Sequence, residues 1–282
     1  IGLEWLYNLL NAGETGNLEE SGTIGKFGAG FKSIFVYLKR PEDRVVFRTV
    51  TPDGQGERWE FGVDENGEIW YVRSALIPSD IERIGRGSEL EIYSRDIHSE
   101  AVSADIQKTL QHVESADIYV QMNGAAPQRI NAQNGVDVLG SVSVNEVVPD
   151  KYIVQPAIQL KVDTTTGLTQ KGERTEIKLT VNGVYFDSIY VDSVGEPKLF
   201  ILDFQKDFLS YSRDRGVPYP NALTMNVMNT LVKNMLRSRP NELLAHANVL
   251  YEAFEIMVKR APASALEEGT NPVIELVRIV QD

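Results

Sequence analysis

The sequence contains no cysteine, which excludes disulfide bonds and thiolate metal sites. Its only histidines, His98, His112 and His246, are widely spaced and do not predict a histidine-based metal site. No apolar run reaches the roughly 18 residues that a membrane-spanning helix needs, and no targeting signal is recognisable. We therefore expect a cytoplasmic protein without a membrane span.

Positive charge is also scarce. The 28 lysines and arginines are outnumbered by 40 aspartates and glutamates, which gives a formal net charge of −12. Such a chain repels phosphate groups, so nucleic acid is disfavoured as the main partner. The 42% of hydrophobic residues and the length of 282 residues suit a globular protein of two ordinary domains.

Local patterns predict an α+β fold. β-Branched and aromatic residues over 45–50 and alternating polar and apolar residues over 58–63, 68–72 and 89–93 predict an antiparallel meander within 45–93. Helical spacing over 99–115 predicts a helix near the domain junction. Asn182-Gly183 lies between two alternating segments, which predicts a hairpin. Other segments are predicted to be extended, namely 117–122, 136–148, 152–163 and 198–204. The C-terminal part is predicted to be helical over 221–237, 241–260 and 272–280.

A glycine-rich segment opens onto an apolar run and carries most of the functional signal. Glycines let a backbone approach a polyphosphate, and a following helix N-terminus adds a favourable dipole. The segment lacks the preceding strand of a Rossmann domain and the Gly-Lys-Ser/Thr ending of a P-loop. The alternative is a simple turn before a buried helix. Its residues are Ile24, Gly25, Lys26, Phe27, Gly28, Ala29, Gly30, Phe31, Lys32 and Ser33.

This segment resembles the second glycine motif of the GHKL ATPase superfamily (the Bergerat fold), which in Hsp90-like proteins reads close to IGQFGVGFYS. In that family a mobile ATP lid precedes the motif, as the polar residues 12–23 would here. A meander follows, and then a Gly-Thr pair whose hydroxyl belongs to the adenine pocket. Gly87-Ser88 stands in that place, so the resemblance implies an adenine-pocket role for Ser88. It implies that the chain binds ATP and that the backbone amides of residues 25–32 bind its phosphates.

The first residues, Ile1-Gly2-Leu3, resemble the end of the family's first glycine motif. On this interpretation the chain begins just after the aspartate that reads adenine. The glutamate that activates water and the asparagine that holds Mg²⁺ would also lie upstream. We therefore expect that residues 1–282 alone do not hydrolyse ATP.

Leu209 to Arg215 resembles the Hsp90-like middle-domain segment whose arginine reaches the γ-phosphate, and Arg213 matches that arginine. A guanidinium suits this role because it stays charged and offers a fork of donors. The alternative is a surface arginine paired with Asp214 or Asp207, and Arg215 is the fallback candidate. The strands and helices around it fit a ribosomal S5-like transducer, a β-sheet with helices on one side.

The resemblance implies three regions: an incomplete GHKL ATP-binding domain (1–98), an S5-like transducer (99–240) and a C-terminal helical segment (241–282). The function it implies is an ATP-driven, chaperone-like switch that closes its lid and forms a homodimer or grips a protein client. The alternative is a non-catalytic scaffold that keeps the GHKL fold, for example a phage- or bacterial-encoded homologue.

Two further groups of residues are interpreted as structural rather than functional. Asp203, Asp207 and Asp214 share no predicted face, so they are interpreted as solvated loop charges rather than a metal site. The methionines at helical spacing, Met225, Met228 and Met235, are interpreted as core residues.

Overall fold

The computed structural model describes residues 33–51, 53–131, 135–150, 156–163, 174–192, 198–210, 218–268 and 271–281. Contacts divide the chain into two compact units, with the boundary between Val102 and Ser103. The fold is α+β, and antiparallel pairing dominates its sheets, as the sequence predicts. The expected lid over 12–23 lies outside the described residues.

The first unit is built on a four-stranded antiparallel sheet with the order β3-β2-β1-β4. The strands β1 to β3 form the expected meander, but β4 pairs with β1 instead of continuing beside β3. The short helix α1, which lies between β3 and β4, was not predicted. The elements are a 3-10 helix (Ser33–Tyr37), β1 (Arg44–Val50), β2 (Gly56–Val63), β3 (Ile69–Ala75), α1 (Pro78–Ile84) and β4 (Gly87–Tyr93).

One face of this sheet is apolar because alternate residues of its central strands point to the same side. Val45 and Phe47 of β1 lie opposite Phe61 and Trp59 of β2, and all four are buried. Phe35 of the 3-10 helix packs on Phe61, with 5.0 Å between ring centroids. These contacts form the core of the first unit.

The connecting region contains α2 (Ser99–Leu110), β5 (Tyr119–Val120) and β6 (Gln128–Arg129). The strand expected over 117–122 is therefore reduced to two residues. The buried side chain of Asn131 holds the segment after α2: its Nδ2 donates to the carbonyls of Val113 (2.7 Å) and Ala116 (2.6 Å). Its Oδ1 accepts from the amide of Ile118 at 2.9 Å.

The second unit contains a five-stranded sheet with the order β10-β9-β11-β8-β7, in which only β11 and β9 pair in parallel among the described strands. The extended segment expected over 136–148 ends early, because Ser143 and Glu146 form a capping box that starts the helical turn α3. The elements are β7 (Val136–Ser143), α3 (Val144–Val147), β8 (Pro156–Asp163), β9 (Arg174–Val181), β10 (Val184–Asp192) and β11 (Leu199–Phe204).

Helices complete this unit. Asn221 caps α4 by accepting from the amide of Thr224 at 3.0 Å, and Pro240 occupies the first turn of α5. The core interpretation of the three methionines is confirmed, since all are fully buried in α4. The remaining elements are a 3-10 helix (Lys206–Phe208), β12 (Leu209–Ser210), β13 (Tyr219–Pro220), α4 (Ala222–Ser238), α5 (Pro240–Arg260), α6 (Ala263–Glu268) and α7 (Pro272–Gln281).

The two faces of the five-stranded sheet differ. Residues such as Leu160 and Leu202 share one core with Leu231 of α4 and Phe254 of α5, so the C-terminal helices belong to the same packed unit as the sheet. The opposite face carries Lys161 and Asp203, and the segment 111–116 that follows α2 packs on it at Lys161 and at the Gly183 turn. This segment bridges from α2 to the small β5–β6 hairpin.

Candidate functional site

Most residues of the predicted nucleotide site lie outside the described part of the chain. This applies to Gly25, Lys26, Phe27, Gly28, Ala29, Gly30, Phe31 and Lys32, and to Arg213. On either side of the segment that holds Arg213, β12 and β13 pair with each other. Ser88 is the predicted site residue that the structure places.

Ser88 is the second residue of β4, and it is exposed. In the β1–β4 register it lies opposite Thr49, which is fully buried. The two hydroxyl oxygens are 2.9 Å apart, and Thr49 Oγ1 also lies 3.4 Å from the carbonyl oxygen of Gly87. A hydroxyl can donate and accept at once, so Ser88 retains hydrogen-bonding capacity toward a ligand.

A row of polar side chains continues across the sheet from Ser88. Thr49 lies opposite Glu57 of β2, and Glu57 is buried. Its carboxylate accepts from the indole nitrogen of Trp59 (3.0 Å) and from Nε of Arg73 (3.0 Å). Both carboxylate oxygens of Glu57 therefore accept hydrogen bonds from neighbouring side chains, and we assign Glu57 a structural role.

An aromatic cluster adjoins this polar row on the same face of the sheet. The rings of Trp59 and Tyr71 are stacked with 5.7 Å between centroids, and Trp59 and Phe61 are stacked at 6.4 Å. Trp59 and Phe61 are each 2% exposed and belong to the core of the first unit, so Tyr71, at 56%, is the exposed ring of this cluster.

A second polar cluster, on the outer face of the five-stranded sheet, was not predicted. Lys161 of β8 is fully buried, and its ammonium lies 2.5 Å from Oε1 of Glu114 and 3.4 Å from Oδ2 of Asp203. Asp203 Oδ1 also accepts from the hydroxyl of Thr180 (2.7 Å) and the amide of Gly183 (2.8 Å). These bonds satisfy the buried charges that would otherwise be strongly unfavourable.

His112 lies near this cluster and is buried. Burial lowers the pKa of its imidazole to about 4, and the positive charges of Lys178 and Lys161 lower it as well, while Asp163 raises it. The ring is therefore neutral at pH 7 and contributes no charge to the cluster.

A pocket of about 70 Å³ opens beside Asp203, and it is lined in part by Glu114, Gln159, Asn182 and Gln205. Sites for drug-sized ligands are typically about 300–1,000 Å³. This pocket is therefore too small for a nucleotide, and we assign the Lys161 cluster a structural role.

The acidic residues considered for metal binding do not come together in the described region. Asp203 is held by Lys161, Thr180 and Gly183, whereas Asp207 lies in the following 3-10 helix and Asp214 is outside the described residues. Across the described ranges, no group of three or more histidine, aspartate or glutamate side chains is placed to hold a metal ion.

No protein-family model matches the chain, and no curated protein is significantly similar to it. In the part of the chain that the structure describes, none of the helices combines the length and apolar character needed to cross a bilayer.

Proposed function

We propose that this chain belongs to an ATP-operated conformational switch of the GHKL class. The observation that carries the proposal is the exposed residue Ser88, whose hydroxyl is held by the buried Thr49 at the place where the family's adenine-pocket hydroxyl is expected. The glycine-rich segment 24–33 precedes this sheet in sequence, with the 3-10 helix Ser33–Tyr37 between them, and resembles the family's phosphate-binding motif.

In this proposal the Ser88 hydroxyl contacts the adenine ring, and Thr49 holds that hydroxyl in position. The amides of residues 25–33 surround the triphosphate, where the glycines permit close approach and Lys32 adds positive charge. The Mg²⁺ implied by the resemblance neutralises phosphate charge when bound. None of its ligands is assigned to the described residues.

Arg213 completes the proposed switch by contacting the γ-phosphate, which ADP lacks. Its segment begins and ends at the paired strands β12 and β13, so both ends of the segment are held at one place. ATP then favours one of two conformations because it binds that conformation more tightly. Homodimerisation and the capture of a protein client are the proposed consequences.

Replacing Ser88 by alanine tests the adenine contact. We expect Ser88→Ala to weaken ATP binding by the intact protein about 5- to 10-fold, because one buried hydrogen bond contributes about 1 kcal/mol. Isothermal titration calorimetry measures the affinity, and thermal unfolding checks the fold.

Ser74→Ala is the matched control, since Ser74 is also an exposed serine of the same sheet but lies on β3, facing the other side. An affinity equal to that of the wild type in Ser88→Ala would reject the adenine assignment. No nucleotide binding by the intact protein would favour the non-catalytic scaffold instead.

A further inference from the structure

Most edge strands of the two sheets carry features that oppose pairing with another chain. In the second unit, the edge strands β10 and β7 each contain a register shift, at Tyr185/Asp187 in β10 and at Val138/Gly140 in β7. In the first unit, α1 lies against the edge strand β4, and Arg83 of α1 bonds both carboxylate oxygens of Glu89 (2.7 and 2.8 Å). Bulges and covering helices are established means of protecting a sheet edge.

The fourth edge strand, β3, lacks these features. Its seven residues contain neither proline nor lysine, and all seven pair with β2 without a shift in register. None of the described strands pairs with its outer side. A regular strand with an open edge is a template for another strand.

The side chains of β3 also suit an interface. Ile69, Tyr71 and Val72 are 53%, 56% and 53% exposed, although all three are large and apolar or aromatic. Arg73 carries the only charge on the strand, and that charge is already paired with the buried Glu57. Pairing at this edge therefore covers apolar surface without bringing an uncompensated charge into the interface.

The hydrogen bonds to β2 determine which backbone groups of β3 point outward. The amide of Leu76 donates to the carbonyl of Gly56 (2.9 Å), and the carbonyl of Glu68 accepts from the amide of Asp64 (2.9 Å). In an antiparallel ladder these bonds alternate, so the even-numbered residues of β3 face β2. The odd-numbered residues present their N–H and C=O groups to the open side, namely Ile69, Tyr71, Arg73 and Ala75.

We propose that β3 is the pairing edge of a symmetric homodimer, in which β3 of a second copy pairs with it antiparallel about Val72. Val72 is the midpoint of the strand, so this register gives every outward-facing residue a partner. Ile69 lies opposite the partner's Ala75, and Tyr71 lies opposite the partner's Arg73, where a guanidinium can stack on the phenol ring.

Symmetry favours a second copy as the occupant of this edge. A two-fold axis perpendicular to the sheet places the core-facing sides of both copies on the same side of the combined sheet. Each copy uses the same edge, so the assembly is complete with two chains. Two copies then join the four described strands of each into one continuous sheet. This β3 interface is distinct from the ATP-driven dimerisation of the proposed switch, so it can be tested without nucleotide.

Single cysteines test this register directly, because the chain contains no cysteine of its own. In the proposed dimer, the two Val72 residues form a non-hydrogen-bonded pair with Cα atoms about 4.5 Å apart, within the range of a disulfide. The two Ser74 residues are displaced by about 14 Å, which is outside that range. We expect Val72→Cys to form a disulfide-linked dimer at least about 10-fold faster than Ser74→Cys under mild oxidation.

Sedimentation of the wild-type chain without nucleotide provides the second measurement. An interface of this size predicts a weak dimer in equilibrium with monomer. The dimer should be detectable at a chain concentration of about 100 µM. Val72→Lys places two like charges directly opposite each other and should weaken the dimer at least about 10-fold, whereas Tyr93→Lys on the exposed outer face of β4 should not. The proposal is overturned if the wild-type chain stays monomeric throughout, or if the two cysteine variants cross-link at equal rates.

Discussion

Gly183→Ala is expected to lower the free energy of unfolding by about 4 kcal/mol, an unusually large loss for the addition of one methyl group. Gly183 follows Asn182 in the β9–β10 turn and has a φ of +80°, a conformation that costs an L-residue about 1–2 kcal/mol. A Cβ at this position would also lie 2.2 Å from the carbonyl oxygen of His112 and 2.6 Å from Cα of Val113.

Steric clash makes the second contribution to the loss of stability, because both atoms close to the new Cβ belong to the backbone. A side chain could rotate away from the new methyl group, but here the segment 111–116 must move off the sheet. That movement would separate Glu114 from Lys161 and expose the buried cluster. The local change at the turn therefore spreads to the Lys161 cluster on the outer face.

Gly124→Ala is the matched control because it isolates the conformational cost. Gly124 has a φ of +76°, and an added Cβ would meet no atom within 4 Å. We expect a loss of about 1–2 kcal/mol in this variant. Urea unfolding followed by circular dichroism measures both values. Equal losses in the two variants would mean that 111–116 does not pack on the turn.

Lys161→Ala is expected to destabilise the chain by about 3–5 kcal/mol, the usual cost of removing one partner of a buried ion pair. The side chain of Lys161 is 2% exposed, and that of Asp203 is 14% exposed. Without the ammonium, Asp203 keeps its bonds to Thr180 and Gly183 but loses its compensating charge. Glu114 can turn into water because it lies half in solvent.

Lys259→Ala provides the control for loss of a lysine. Lys259 is exposed on α5 and pairs with Glu255 one turn earlier, at 3.1 Å. Exposed pairs of this kind contribute about 0.3–0.5 kcal/mol. Urea unfolding of the two variants compares the sites, and a loss below about 1 kcal/mol in Lys161→Ala would contradict a buried ion pair at this position.

The sequence predicts the strands and the main hairpin well, because these depend on local patterns. β-Branched and aromatic residues identify β1, alternation identifies β2, and Asn182-Gly183 fixes the β9–β10 turn through backbone conformations that few residues accept. The seven-residue helix α1 escaped prediction because it buries no residue, so it leaves no apolar periodicity in the sequence.

Features that depend on distant segments could not be predicted. The alternation of β4 is equally compatible with pairing beside β3 or beside β1, and only the folded sheet distinguishes them. Lys161 lies on the same face of β8 as Gln159 and Asp163, and a strand face made of polar residues is typically exposed to solvent. Lys161 is buried because residues 111–116, more than 40 positions upstream, cover that face.

The candidate nucleotide site was located by resemblance rather than by periodicity. Ser88 stands where the family's hydroxyl is expected, but its partnership with Thr49 could be found only from the strand register. The glycine segment and Arg213 lie outside the described residues, so their roles stay predictions.

Hydrogen–deuterium exchange of the intact protein, with and without ATP, tests the central claim most directly. If the amides of residues 25–33 surround the triphosphate, ATP must slow their exchange, and the effect should exceed that at the Asn182-Gly183 turn, where no ligand is proposed. Unchanged exchange over 25–33 at a concentration that saturates binding would contradict the account.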